Sequence, residues 1–129
     1  MSIARQILEL KTLSQTICSI SKNDATFSEI KILYFVDEYP NCSPQILISK
    51  LGIAKSNLAL LTKKMIKENL IVSKKGHTDG RSIFYSITST GKNMLDEYLA
   101  SLEKIFHEQE NFELISSISV ILEYLNKKV

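Results

Sequence analysis

The stretch that most constrains the fold lies between residues 70 and 88. Leu70-Ile71-Val72-Ser73 and Ser82-Ile83-Phe84-Tyr85-Ser86-Ile87 are short runs rich in β-branched and aromatic residues, which predicts two antiparallel strands. The segment between them, Lys74 to Arg81, is polar and holds Gly76 and Gly80, so it reads as a hairpin loop with Asp79-Gly80-Arg81 at its tip. Two helical segments joined at Leu51-Gly52-Ile53 come immediately before it. The predicted order is therefore helix, tight turn, helix, hairpin.

The remaining segments read as helices. Ile3, Ile7, Leu10, Leu13, Ile17 and Ile20 alternate at spacings of three and four, an amphipathic helix over residues 2–21. Thr26 followed by Glu29 is a capping box and opens a helix through about Tyr39, stopped by Pro40. Ile30, Ile32, Leu33, Phe35, Val36 and Tyr39 make that helix apolar on more than one face, which predicts a central, buried position. Ser43 as N-cap and Pro44 at the first helical position start the next, with Leu47, Ile48 and Leu51 turned inward and Gly52 as the break. Residues 55–68 follow, with Leu58, Leu61 and Met65 on one side and Ser56, Asn57, Leu60, Lys63, Lys64 and Lys67 on the other. Asn69 reads as a left-handed terminator. Thr88 caps a long helix from about Ser89 to Glu108, and a last helix spans about 111–127 with Ile115, Ile118, Ile121, Leu122 and Leu125.

The whole chain carries a net charge of +2, but residues 43–92 hold nine Lys or Arg against Glu68 and Asp79 alone. A basic middle between mildly acidic ends suggests a local face for a polyanion. No apolar run approaches the roughly 18 residues that span a bilayer, and the start lacks a signal-peptide stretch, so a cytoplasmic location is expected. Cys18 and Cys42 have no paired spacing, which points away from a disulfide framework or a zinc ribbon.

Helix-turn-helix followed by a basic hairpin is the layout of a winged helix that reads double-stranded DNA. In such a protein short polar groups near the start of the second helix reach base edges, and cations further along hold phosphates. Ser56 and Asn57 occupy the first turn, and Asn pairs with adenine through two hydrogen bonds. Lys55, Lys63, Lys64 and Lys67 are phosphate candidates, Ser43 is a further DNA-binding candidate, and an outward Leu60 suits a thymine methyl. On the wing, residues 74–82, the candidates are Lys74, Lys75, His77 and Arg81, with Asp79 orienting the guanidinium. A cationic tip of this kind suits the negative potential of a minor groove.

The runs Leu51-Gly52-Ile53-Ala54-Lys55-Ser56-Asn57-Leu58, Met65-Ile66-Lys67-Glu68-Asn69-Leu70-Ile71, Asp79-Gly80-Arg81 and Ile87-Thr88-Ser89-Thr90-Gly91-Lys92 resemble the MarR family of winged-helix transcriptional regulators. The similarity covers residues 43–92; the flanking helices agree in number and length. It implies one mainly α domain over 1–129. Within it, residues 26–88 would form the DNA-binding lobe and residues 1–22 and 89–129 the dimerisation helices. It also implies a dimeric repressor or activator and, in many members, a small effector bound between the dimer helices and the lobe. Three residues depart from the pattern: Ala54 stands at a capping Ser, Leu60 at a polar or Arg position, and Asn69 at a Gly.

The rival reading is a winged-helix adaptor that binds protein without specific DNA binding; the outward Leu60 favours it and the lysines beside it oppose it. No Gly-rich phosphate loop or nucleophile elbow indicates an enzyme, and no cofactor is implied. Cys18 has only Lys22 as a nearby cation and reads as a small buried apolar residue rather than a sensing thiol. Glu103 and His107 with Glu108 or Glu110 fall short of a metal-ligand set. The apolar faces at 2–21 and 89–127 exceed what a winged helix needs, which favours a homodimer on a palindromic operator. Sedimentation equilibrium at micromolar concentration should give about twice the 14.6 kDa chain mass; a clean monomer contradicts the dimer.

Overall fold

The computed structural model describes residues 2–20, 26–76, 82–107, 120–124 and 127. Among these the elements run α1 (Ile3–Ile20), α2 (Phe27–Glu38), α3 (Pro44–Leu51), α4 (Lys55–Lys67), β1 (Ile71–Lys75), β2 (Ile83–Ile87) and α5 (Ser89–His107). Residues 120–124 are also helical. The expected last helix otherwise lies outside the described residues, with Ile115, Ile118 and Leu125 among them.

Local chemistry sets most of the boundaries. Thr26 Oγ1 accepts from the Glu29 amide at 3.3 Å and starts α2. Ser43 Oγ accepts from the Ile46 amide at 3.3 Å and starts α3, with Pro44 in the first turn. Gly52 ends α3 at φ 65°, where its amide reaches the Ile48 carbonyl at 2.9 Å. Asn69, at φ 59°, turns the chain out of α4, and the Leu70 amide closes back on the Met65 carbonyl at 2.9 Å. Asn tolerates this left-handed conformation better than most residues that carry a Cβ.

The core is built on α2, whose Ile30, Ile32, Leu33 and Val36 are buried. Leu47 of α3, Leu58 and Met65 of α4, Leu70, Ile71 and Tyr85 of the hairpin, and Leu95 and Tyr98 of α5 close around it. Cys42, fully buried just before α3, pairs with Tyr85 through an isolated bridge, the Tyr85 amide donating to its carbonyl at 2.7 Å. That bridge ties the entry to the helix-turn-helix to the hairpin.

The hairpin differs from expectation. β1 and β2 pair antiparallel from Ile71↔Ile87 through Lys75↔Ile83. Lys74 and Lys75 therefore belong to the strand, opposite Phe84 and Ile83, rather than to the loop. Gly76 extends the pairing by donating to the Ser82 carbonyl at 2.7 Å. Ladder bonds are made by the backbone, so polar side chains on the water-facing side do not stop a strand. Leu70 precedes β1 instead of opening it.

α1 lies against α2 and α5. Its Ile3, Ile7, Leu8, Leu10 and Leu13 are nonetheless 38–64% exposed. Val120, Ile121, Leu122 and Tyr124 are exposed as well. No described helix is long and apolar enough to cross a membrane.

Gly91, in the first turn of α5, is buried at a close approach. A Cβ there would run into the Leu70 carbonyl oxygen and crowd Ile87 Cγ1 at 3.0 Å and Leu33 Cδ2 at 3.1 Å. A backbone oxygen in a turn has little room to yield. Gly91→Ala should destabilise the fold by roughly 1–3 kcal/mol, in the range of overpacking changes. Thermal melting followed by circular dichroism checks this; an unchanged midpoint would mean that α5 shifts freely.

Candidate nucleic-acid interface

α4 presents a clean division of faces. Leu58, Thr62 and Met65 are buried, and Leu61 is half-buried. The Thr62 hydroxyl is satisfied by the Leu58 carbonyl at 2.9 Å, so a polar residue sits in the core stripe at little cost. With about 100° between successive residues, Ser56, Leu60, Lys63 and Lys67 fall at the centre of the opposite face. All four are exposed, Leu60 by 70%. Asn57 and Lys64, seven residues apart and so within about 20° of each other, line one edge of that face. Leu60 thus stands outward, as the sequence indicated.

The start of α4 lies beside the hairpin. Ser43, Pro44 and Gln45 from the start of α3, Lys55 from the start of α4, and Ser82, Ile83 and Phe84 from the hairpin line an open groove of about 410 Å³. Two of the expected DNA-binding residues, Ser43 and Lys55, are brought together there. Ser43 Oγ is engaged as acceptor in the α3 cap, but its hydroxyl proton is still available to an outside acceptor. Lys74 and Lys75 are exposed along β1. His77, Asp79 and Arg81 lie outside the described residues.

The lysines are not equivalent. Lys64, expected at a phosphate, is held by Glu29: Nζ to Oε1 is 2.8 Å. Glu68 stands 3.8 Å away on the other side. The hydrogen bond that Lys64 donates to Glu29, and then the charge of Glu29, raises the ammonium above the ordinary lysine value. Whatever stability this pair supplies is full below that ordinary value and is lost only as pH rises through the raised one. Lys92 is treated the same way by Asp37 at 2.8 Å and Asp96 at 3.5 Å, and its pKa is raised mainly through Asp37. Lys50 sits over the Tyr39 ring at 5.6 Å. The basic excess of residues 43–92 is therefore smaller as a free charge than as a count.

Glu29 is the functional candidate that the sequence reading missed. It shows there only as the partner of Thr26. Its side chain is 2% exposed and takes a hydrogen bond from Thr26 Oγ1 at 3.2 Å besides the one from Lys64. A contact between residues 35 apart leaves no local signal.

The cysteines fit a structural role where they are described. Burial pushes the Cys42 thiol up, away from the reactive thiolate. The Cys18 side chain lies outside the described residues, as do those of His107, Glu108 and Glu110. Among the described residues no cluster of three or more His, Cys, Asp or Glu could hold a metal ion.

A helix-turn-helix whose second helix shows a polar face beside an antiparallel hairpin is a winged helix. Residues 26–83 match the family model described as the MarR family, and this lobe has the winged-helix fold. The chain is 27% identical over 88 residues to YvnA of Bacillus subtilis (strain 168), described as an uncharacterized HTH-type transcriptional regulator. That match covers 68% of this chain and 53% of the relative, so the chain spans about half the length of the curated relative it matches. Three solved structures share the fold. Wild-type MarR from E. coli in its apo form has a TM-score of 0.72 at 18% identity, covering 99% of this chain and 96% of that one. The transcriptional regulator PA4135 has a TM-score of 0.80 at 16% identity, covering 98% and 97%. YusO of Bacillus subtilis has a TM-score of 0.65 at 20% identity, with full coverage of both chains.

Ala54 occupies the N-cap of α4 with an extended backbone, φ −67° and ψ 148°, and no side-chain cap bond. A Ser there meets the geometry that capping needs. Ala54→Ser should stabilise the protein by about 0.5–2 kcal/mol. A rise in melting temperature checks this; no rise would mean that the first-turn amides already have other acceptors.

Proposed function

We propose that the protein is a homodimeric transcriptional regulator that binds double-stranded DNA sequence-specifically. The observation that carries this is the exposed face of α4. Ser56, Leu60, Lys63 and Lys67 take no part in the buried core, Asn57 borders them, and the lysines of β1 stand on the same hairpin that flanks the groove. In this reading Ser56 and Asn57 meet base edges, Leu60 meets a thymine methyl, and Lys55, Lys63 and Ser43 hold phosphates. Lys74 and Lys75 extend the phosphate contacts along the hairpin stem. His77, Asp79 and Arg81 belong to its loop in sequence, with Arg81 directed to the minor groove.

The exposed Ile3, Ile7, Leu8 and Leu13 of α1, with Val120, Ile121 and Leu122, support the second copy. A two-fold dimer presents two such helices, which matches a palindromic operator. A small effector acting between the dimer helices and the lobe belongs to the same reading, through the family resemblance.

Selection from random duplexes, followed by fluorescence anisotropy across a salt series, tests the proposal. Binding should weaken steeply with salt, in proportion to the phosphates neutralised. Asn57→Ala should relax preference at one base pair per half-site and weaken the best site by about 1–3 kcal/mol. Arg81→Ala should weaken it roughly tenfold, an effect on the order of 1.4 kcal/mol, with Arg81→Lys recovering part of the loss. A protein that selects no sequence and shows no salt dependence would be the adaptor instead.

A further inference from the structure

Lys64 sits on the edge of the exposed α4 face, in the same stripe as Asn57, yet its ammonium turns away toward α2. Its partner is not a surface carboxylate. Glu29 is 1% exposed and belongs to the first turn of the central helix, where the Thr26 hydroxyl also holds it. An ion pair with one fully buried member has a fixed end, unlike the mobile pairs that decorate helix surfaces. Apolar contacts through Leu58, Leu61 and Met65 bury the inner face of α4, but they are non-directional. The charge-assisted bond to Glu29 is directional and reaches α4 from the side. Rotation of α4 about its axis would stretch it before it unpacked the apolar stripe.

We propose that Glu29 and Lys64 are positioning residues for DNA recognition: the buried carboxylate pins Lys64 and thereby fixes the rotation of α4 that aims Asn57. This rests on the DNA-binding reading above. It assigns Lys64 a role opposite to that of a phosphate contact, since its charge is already paired with Glu29.

Wild type, Glu29→Gln, Lys64→Gln, Lys64→Arg and the double variant Glu29→Gln/Lys64→Gln are compared by anisotropy. The probes are the selected duplex and a scrambled duplex of equal length, across a salt series, with melting temperature recorded in parallel. Each Gln variant should weaken the selected duplex about fivefold or more, leave the scrambled duplex within about twofold, and keep the salt slope. The double variant should be no weaker than the worse single one, and Lys64→Arg should recover most of the affinity. Lys64 is half-exposed, so Lys64→Gln carries the test even where Glu29→Gln fails to fold.

Two results would overturn the proposal while the DNA-binding reading stands. In the first, Lys64→Gln weakens both duplexes alike and lowers the slope by about 0.9 per phosphate lost, while Glu29→Gln binds as well as wild type or better. Lys64 would then be a phosphate ligand. In the second, the variants melt earlier but keep the ratio between the two duplexes, and the pair would be structural only. If wild-type protein binds neither duplex in a salt-dependent way, the DNA-binding reading fails and this proposal with it.

Discussion

The Leu70 carbonyl is the point on which the arrangement depends. The Thr88 amide donates to it at 3.1 Å, and the Thr88 hydroxyl lies 3.0 Å from it and 2.7 Å from the Asn69 carbonyl. One hydroxyl proton is shared between the two acceptors. The same hydroxyl accepts from the Gly91 amide at 3.0 Å and so caps α5. Three elements are joined within one residue's reach: the end of α4, the two ends of the hairpin and the start of the long terminal helix. Gly91 has no Cβ to meet the Leu70 carbonyl oxygen, so α5 can begin there. α4, the hairpin and α5 are therefore tied together at this junction.

Around it, polar ties supply direction and apolar contacts supply cohesion. Glu29–Lys64 joins α2 to α4, Lys92–Asp37 joins α5 to α2, and Cys42–Tyr85 joins the start of the helix-turn-helix to the hairpin. A core of interchangeable aliphatic residues tolerates sliding more readily than a charge-assisted bond tolerates stretching. The central helix receives two of these ties as well as the largest share of buried side chains. It serves as the frame against which the exposed face of α4 is set.

What sequence alone made legible was local. Thr26, Ser43, Gly52, Asn69 and Thr88 each end or begin an element through contacts within four residues or through their own backbone preference. Their roles could be read without a partner. The burial of α2 and the outward turn of Leu60 followed from helical spacing for the same reason. The strand status of Lys74 and Lys75 was not legible, because it depends on Phe84 and Ile83 across the hairpin. Nor was the fate of Lys64 and Lys92, whose carboxylate partners lie 35 and 55 residues away. Composition counts those charges as available to a ligand, whereas the fold has already assigned them.

The bare N-cap of α4 has a further consequence. Amides in the first turn of a helix lack intrahelical acceptors. Without a hydroxyl from Ala54, that turn has no side-chain cap. Its amide protons should then exchange with solvent ahead of those in the middle of α4. The residues that open the helix, Lys55, Ser56 and Asn57, are thus held by a turn that can adjust its pitch to what it meets. The start of α4 is thus its least anchored turn, on a helix whose inner face is packed into the core.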